Sequence, residues 1–234
     1  VKSAKAEKIS ELTTNRLSVY LRCLNEMAAE GSKSVSSEGL AERFHLNSAQ
    51  IRKDLAYFGE FGVRGVGYYI ETLRDHLTNI LGLNTERRVG IIGAGRLGAA
   101  LADYYGFKQS NFSVVALFDT DEKKCGKSIG QADVLVHPLA NLAKVVASEG
   151  IDVLVIAVPA LFAQKVLDKI AETGVKAVLN FAPVPLKVGD DVKLKTVDLT
   201  ISLESLSYFL AQPVSANGSG RKVKQSAAGA RKKN

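Results

Sequence analysis

The segment Arg88-Val89-Gly90-Ile91-Ile92-Gly93-Ala94-Gly95-Arg96-Leu97-Gly98 constrains this chain more than any other stretch. Its last three glycines are spaced as GxGxxG. Glycines collect in turns for many reasons, so the spacing gains meaning only from its setting. A β-branched run precedes it, and an apolar helical pattern, 97–105, follows it. Where a strand turns straight into a helix, each glycine has its own task. Gly93 makes the tight turn, Gly95 lets the backbone approach a pyrophosphate, and Gly98 packs helix on strand. Ala94, Arg96 and Leu97 complete the turn, where a helix N-terminus offers free N–H groups to an anion. Asp119 ends the next apolar run, 21 residues past Gly98. An acid there accepts hydrogen bonds from the adenosine ribose hydroxyls and repels a 2′-phosphate, which favours NAD(H) over NADP(H). Lys123, Lys124 and Lys127 work against that preference.

The rest of this region alternates strand and helix. Apolar runs at 89–92, 114–118, 134–136, 153–158 and 177–179 are rich in Val, Ile and Leu, as strands buried on both faces are. Helical patterns at 97–105, 139–148 and 162–173 separate most of them, which predicts a doubly wound parallel sheet of the Rossmann type. A last strand over 195–199 leads to a helix with Leu203, Leu206 and Leu210 on one side, and that stripe needs a cover.

A dehydrogenase would also need a proton donor or acceptor beside the nicotinamide. The strand ends that should face a cofactor read Ala157-Val158-Pro159 and Asn180-Phe181-Ala182-Pro183, all apolar or neutral. His45 and His76 fall in the first region, and His137 follows the third strand, where a loop position is the simpler account. Tyr104 and Lys108 match a Tyr-x-x-x-Lys pair but come far too early in the chain for that role. The sequence therefore predicts NAD(H) as a ligand rather than a reactant, no catalytic residues and no enzyme. The rivals are an NAD-dependent oxidoreductase with an accessory domain and a regulator that senses coenzyme A.

Residues 1–85 follow another pattern. Leu17, Leu21, Leu24 and Ala28 form one helical stripe that Gly31 ends. Ser36 and Ser37 open a second helix through Phe44, and Asn47-x-x-Gln50 has the form of a capping box for a third, which stops at Gly59. Glycines mixed with β-branched and aromatic residues over 61–70 predict a hairpin. A fourth helix, 71–81, ends at Gly82. Three helices and a hairpin make a winged helix-turn-helix. Ile51, Leu55 and Phe58 set the buried face of the third helix. At about 100° per residue Lys53 projects almost opposite, with Arg52 and Tyr57 at the edges. Ser48, Gln50, Arg52, Lys53 and Tyr57, with Arg64 and Gly65 on the wing, are the candidate DNA contacts. One module covers half an operator, so a homodimer on double-stranded DNA follows.

The formal net charge of +7 adds little to this, because Arg221, Lys222, Lys224, Arg231, Lys232 and Lys233 carry nearly all of it without an acid among them. Residues 214–234 are expected to be a disordered basic tail. Cys23 and Cys125 form no metal-binding or disulfide framework. A polar start and the absence of a long apolar run predict a cytoplasmic protein with no membrane partner.

Taken together, Arg52-Lys53-Asp54-Leu55-Ala56-Tyr57-Phe58-Gly59, Arg64-Gly65-Val66-Gly67-Tyr68, the glycine motif and Asn180-Phe181-Ala182-Pro183 resemble the Rex family of bacterial redox-sensing repressors. The resemblance spans about residues 10–213. It implies a winged-helix domain over 1–85, a Rossmann domain over 86–201 and a helix over 202–213 exchanged between subunits. It implies a homodimer on palindromic operators, released by NADH and compatible with NAD⁺. It also implies that Tyr104 and Asp198 line the nicotinamide side across the dimer, with Arg22 as a switch partner of Asp198. Leu199 departs from the aromatic residue the family pattern leads one to expect there.

Overall fold

Helix α1 (Glu11–Ala29) begins where the Ser10 side chain accepts a hydrogen bond from the Thr13 N–H. The computed structural model describes residues 9–211, so the basic tail and the end of the predicted exchanged helix lie outside the described residues. The α1 stripe of Leu17, Leu21 and Leu24 is buried together with Tyr20, Cys23 and Met27. After strand β1 (Ser34–Val35), helix α2 (Ser37–Phe44) is capped by Ser36, whose Oγ accepts from Gly39 N at 2.9 Å. His45 takes a left-handed conformation, φ 53°, and turns the chain into helix α3 (Ser48–Phe58). Hairpin strands β2 (Gly62–Val63) and β3 (Gly67–Tyr69) form the wing, and helix α4 (Ile70–Ile80) packs on α1. Strand β1 pairs antiparallel with β3, making a three-stranded sheet. The winged helix-turn-helix is thus present, with one strand more than the sequence pattern indicates. Leu17, Leu24, Leu40, Ile51, Ile70 and Leu77 close its core.

The second region runs through strand β4 (Arg87–Ile92), helices α5 (Arg96–Ala102) and α6 (Tyr105–Gln109), and strands β5 (Phe112–Asp119), β6 (Ser128–Ile129) and β7 (Val134–Pro138). A 3₁₀ turn, Leu139–Asn141, leads into α7 (Leu142–Glu149), followed by β8 (Val153–Ile156), α8 (Ala160–Ala171), β9 (Ala177–Asn180), β10 (Lys193–Thr196) and α9 (Leu199–Ala211). The described strands order as β10-β9-β8-β4-β5-β7-β6, parallel except for β6. This is the doubly wound sheet read from the sequence. Strand β4 lies between β5 and β8, so the winding reverses there, and the carboxyl ends of β4 and β8 open a crevice.

Several boundaries shift by a few residues, among them the last strand, read over 195–199 and observed over Lys193–Thr196, and two shifts have a local cause. The helix predicted over 97–105 stops at Ala102, because Tyr104 takes an extended backbone (φ −67°, ψ 108°) and its ring lies over Gly106. A Cβ on Gly106 would come within 2.6 Å of that ring. The last helix begins at Leu199 rather than Ser202, since Asp198 Oδ1 accepts from Thr200 N at 2.8 Å and caps it.

The two faces of the large sheet are finished differently. Ile92, Phe118, Leu154 and Ile156 pack beneath α7 and α8, through Leu142, Val145, Val166 and Ile170. On the other face, Val89, Ile91, Leu117 and Val155 meet Ala94 and Ala102 near α5. Toward β10 that face stays open. Val153, Leu179 and Lys195 line a cleft of about 1210 Å³, and Thr14, Asn15, Arg22 and Asn25 of α1 also line it. Helix α9 is meanwhile exposed along its whole length, with Ile201 at 63% and Phe209 at 69%.

Candidate functional site

The crevice is built chiefly from backbone. Gly93 sits at φ +107°, and a Cβ there would lie 2.4 Å from the Ala157 carbonyl oxygen. At Gly98 a Cβ would come 1.8 Å from the Gly93 oxygen, so both positions demand glycine. A Cβ on Gly95 would meet nothing within 4 Å and would project into open space. The motif thus leaves a cradle open to an approaching anion, as a dinucleotide pyrophosphate requires. Helix α5 has only seven residues, so the cradle rather than a long dipole marks that position.

Asp119 stands at the end of β5 beside this cradle. Its Oδ2 accepts from Ala94 N at 2.9 Å and from Lys124 Nζ at 3.0 Å, and its Oδ1 accepts from Asp121 N at 2.9 Å. Burial alone would raise the carboxyl pKa, but the donors from Asp121, Lys124 and Ala94 outweigh it and hold the group below its usual range. Gly93, Gly95, Asp119, Ala157, Val158 and Pro159 line one volume of about 890 Å³. Lys124, Lys165 and Lys169 border it as well, so the neutrality of the strand ends does not extend to the whole crevice. Arg96 and Leu97 are exposed at the start of α5.

Other candidates from the sequence stand elsewhere. Asn180 is fully buried. Its amide donates to Ala182 O and accepts from Ala182 N, both at 2.9 Å, folding the chain after β9. Phe181 N donates to Ile156 O. Neither residue borders the crevice. Tyr104 lines the open cleft together with Arg22, and Asp198 caps α9. His137 lies on β7 with its ring 5.9 Å from that of Phe118.

The exposed face of α3 is a different kind of surface. Asn47 Oδ1 accepts from Gln50 N at 2.9 Å, which is half of the predicted capping box. The Gln50 side chain does not reach back. Its Nε2 donates to Asp54 Oδ1 at 2.8 Å. Arg52 donates to Ser37 Oγ at 2.8 Å and pairs with Glu38, bridging to α2. Lys53 and Tyr57 are exposed, and Ser48 is half-buried. Arg64 and Gly65 are exposed at the turn of the wing, where Gly65 sits at φ +80°.

Sequence reasoning missed the group that fixes this helix. Asp54 is 4% exposed and accepts from Arg16 Nε at 2.6 Å, Arg16 Nη2 at 2.7 Å and Tyr20 Oη at 2.9 Å, besides Gln50. Burial would raise its pKa, yet the bonds from Arg16, Gln50 and Tyr20 bring it below the usual range. Burial and Asp54 push the Tyr20 hydroxyl upward. The available signal was position: Asp54 lies three residues after Ile51 on the buried stripe, where a carboxylate needs a partner.

Comparison with known proteins bears on both sites. A family model described as "CoA binding domain" matches residues 84–184, and one described as "Putative DNA-binding protein N-terminus" matches 8–56. The redox-sensing transcriptional repressor Rex of Carboxydothermus hydrogenoformans is 47% identical over 204 residues, covering 87% of this chain and 97% of that protein. A crystal structure of RSP in complex with β-NAD⁺ and operator DNA is 39% identical with a TM-score of 0.83, covering 87% of this chain and 93% of that one. RSP in complex with β-NADH is 37% identical with a TM-score of 0.78, at 87% and 95% coverage. At this identity over nearly the whole length, the chain belongs to the Rex family of redox-sensing transcriptional repressors.

Proposed function

We propose that this repressor binds palindromic operator DNA as a homodimer and leaves it when NADH occupies the glycine-walled crevice. The observation that carries this reading is the pairing, in one chain, of an open cradle beside the Asp119 carboxylate with an exposed α3 face centred on Lys53. Ser48, Gln50, Arg52, Lys53 and Tyr57, with Arg64 and Gly65 of the wing, contact the operator. Of these, Lys53 and Arg64 are assigned to base edges and phosphates, and Arg52 is exposed as well but pairs with Glu38. The crevice takes NAD(H) as a signal. The chain is a cytoplasmic regulator rather than an enzyme.

The reduced and oxidised cofactors differ by a hydride and one positive charge on the nicotinamide ring. A ligand shifts an equilibrium only through its different affinity for two states. Ala157, Val158 and Pro159 give the crevice an apolar wall, and burying a charged ring there costs more desolvation than burying the neutral one. The domains divide near residue 85 and, with α9 beginning at Leu199, near residue 198. Helix α9 of one subunit fills the open cleft of its partner, covering Ile201, Leu203, Leu206 and Phe209, which are exposed in the single chain. That brings Asp198 of one subunit toward Arg22 and Tyr104 of the other. Closure around NADH then changes the spacing of the two α3 helices, and half-sites at a fixed helical phase lose simultaneous contact.

The family model matching 84–184 bears the name of coenzyme A, so calorimetry should titrate the purified chain with NADH, NADPH and coenzyme A in competition. NADH binding that coenzyme A fails to displace supports the proposal. Tighter coenzyme A binding, or steady NADH consumption with a candidate substrate, overturns it.

A further inference from the structure

Resting on the dinucleotide reading of the crevice, we propose that Lys124 is a specificity-determining residue, part of a latent 2′-phosphate site in which the Asp119 carboxylate is the resident anion. Three donors converge on that carboxylate: Ala94 N, Asp121 N and Lys124 Nζ, at 2.9, 2.9 and 3.0 Å. Two come from the main chain and one is a full positive charge, which is the composition of an anion pocket. Of the lysines at 123, 124 and 127, it is Lys124 that borders the crevice and reaches Asp119. The ammonium is more open to solvent than its partner, 39% against 12%, so it borders the site without being sealed into it.

Apart from Asp121 N, which donates to Asp119 Oδ1, the backbone of the loop that carries Lys124 is held by bonds that do not involve the Asp119 side chain. Lys124 N donates to Asp121 O at 3.0 Å, Lys127 N donates to Lys124 O at 3.2 Å, and Lys123 N donates to Asp121 Oδ1 at 3.0 Å. Ala94 is fixed by the strand-to-helix turn on the other side. Removing the carboxylate therefore leaves Ala94 N and Lys124 Nζ aimed at the place of Oδ2, and Asp121 N at that of Oδ1, next to the ribose site. In the native chain Asp119 fills that position, accepts from the ribose diol and repels a further phosphate. Without it, the position suits the 2′-phosphate of NADPH.

The test is calorimetry of the full-length chain, Asp119→Ala and the double variant Asp119→Ala/Lys124→Ala, each titrated with NADH and with NADPH. The unaltered chain should prefer NADH. In Asp119→Ala the ratio of the two affinities should move toward NADPH by about a hundredfold, the scale of adding a charge-assisted hydrogen bond while removing a repulsion. The double variant should lose about tenfold of the NADPH affinity, with little further change for NADH. Asp119→Ser carries the same expectation if the alanine variant fails to fold. An Asp119 variant that takes NADPH no better than the unaltered chain overturns the proposal, as does a double variant equal to the single one. Failure of the unaltered chain to bind NADH would instead overturn the dinucleotide reading itself.

Discussion

Each region of the molecule draws one carboxylate away from water, and the two are used differently. Asp54 on α3 takes its partners from side chains: both nitrogens of the Arg16 fork, the Tyr20 hydroxyl and the Gln50 amide. Those bonds tie α3 to α1, and 4% exposure leaves little room for anything else. Asp119 takes two of its three donors from the backbone and stands on the wall of a crevice. The first carboxylate is a strut and the second keeps acceptor capacity for a ligand. The contrast shows that a lowered pKa does not by itself mark a binding group. What separates the two is whether the donors already fill the carboxylate and whether an open volume faces it.

Removing each carboxylate should expose this difference. Asp54→Ala leaves Arg16 and Tyr20 without their partner and should cost about 2–3 kcal/mol in urea unfolding, below the range for a fully buried pair because Arg16 stays 34% exposed. The same group sets a pH dependence. Its folded pKa lies below the ordinary value of 3.8, so its stabilisation is present above about pH 4 and fades as the pH falls through the lowered folded value. Asp54→Asn should therefore flatten the acid limb of the stability profile relative to the unaltered chain. Lys53→Ala should weaken operator binding by about tenfold or more in fluorescence anisotropy while the melting midpoint and NADH affinity hold. A parallel loss of NADH binding would mean that the two regions are not separable. Asp119→Ala should cost no more than about 1 kcal/mol in unfolding, since water can reach the freed N–H groups, while NADH affinity drops. Lys176→Ala breaks an ion pair with Asp191 in which both partners are more than 60% exposed, and the midpoint should not move.

The parts of the fold that depend on local backbone demands were legible in the sequence. Gly93 and Gly98 have no room for a side chain, and their spacing announced the turn; Asp119 followed at the distance the next strand imposes. The helix caps at Ser36 and Asn47 were equally local. What escaped the sequence depended on partners far along the chain. Strand β1 exists because Ser34 pairs with Tyr69, and two residues carry no periodicity of their own. Asp54 falls on the buried stripe of its helix, but nothing local names its partner, Arg16, which lies 38 residues earlier. The Asn180 amide bonds Ala182 where the chain turns after β9, a use that no local pattern shows. The apolar stripe of α9 was visible, and so was its need of a cover. An open cleft lies between α1 and the β8-β9-β10 face, where the proposed exchange would put that stripe.

Occupation of the crevice and engagement of the operator should oppose each other, and the function proposed for this repressor turns on that opposition. It is read from the operator affinity of the full-length chain, by anisotropy on a labelled palindrome, across an NADH titration at fixed NAD⁺. Operator affinity should fall as NADH rises and recover when NAD⁺ displaces it, with NADH affinity reduced by operator to the same factor. Operator affinity that stays constant through saturating NADH would contradict the opposition.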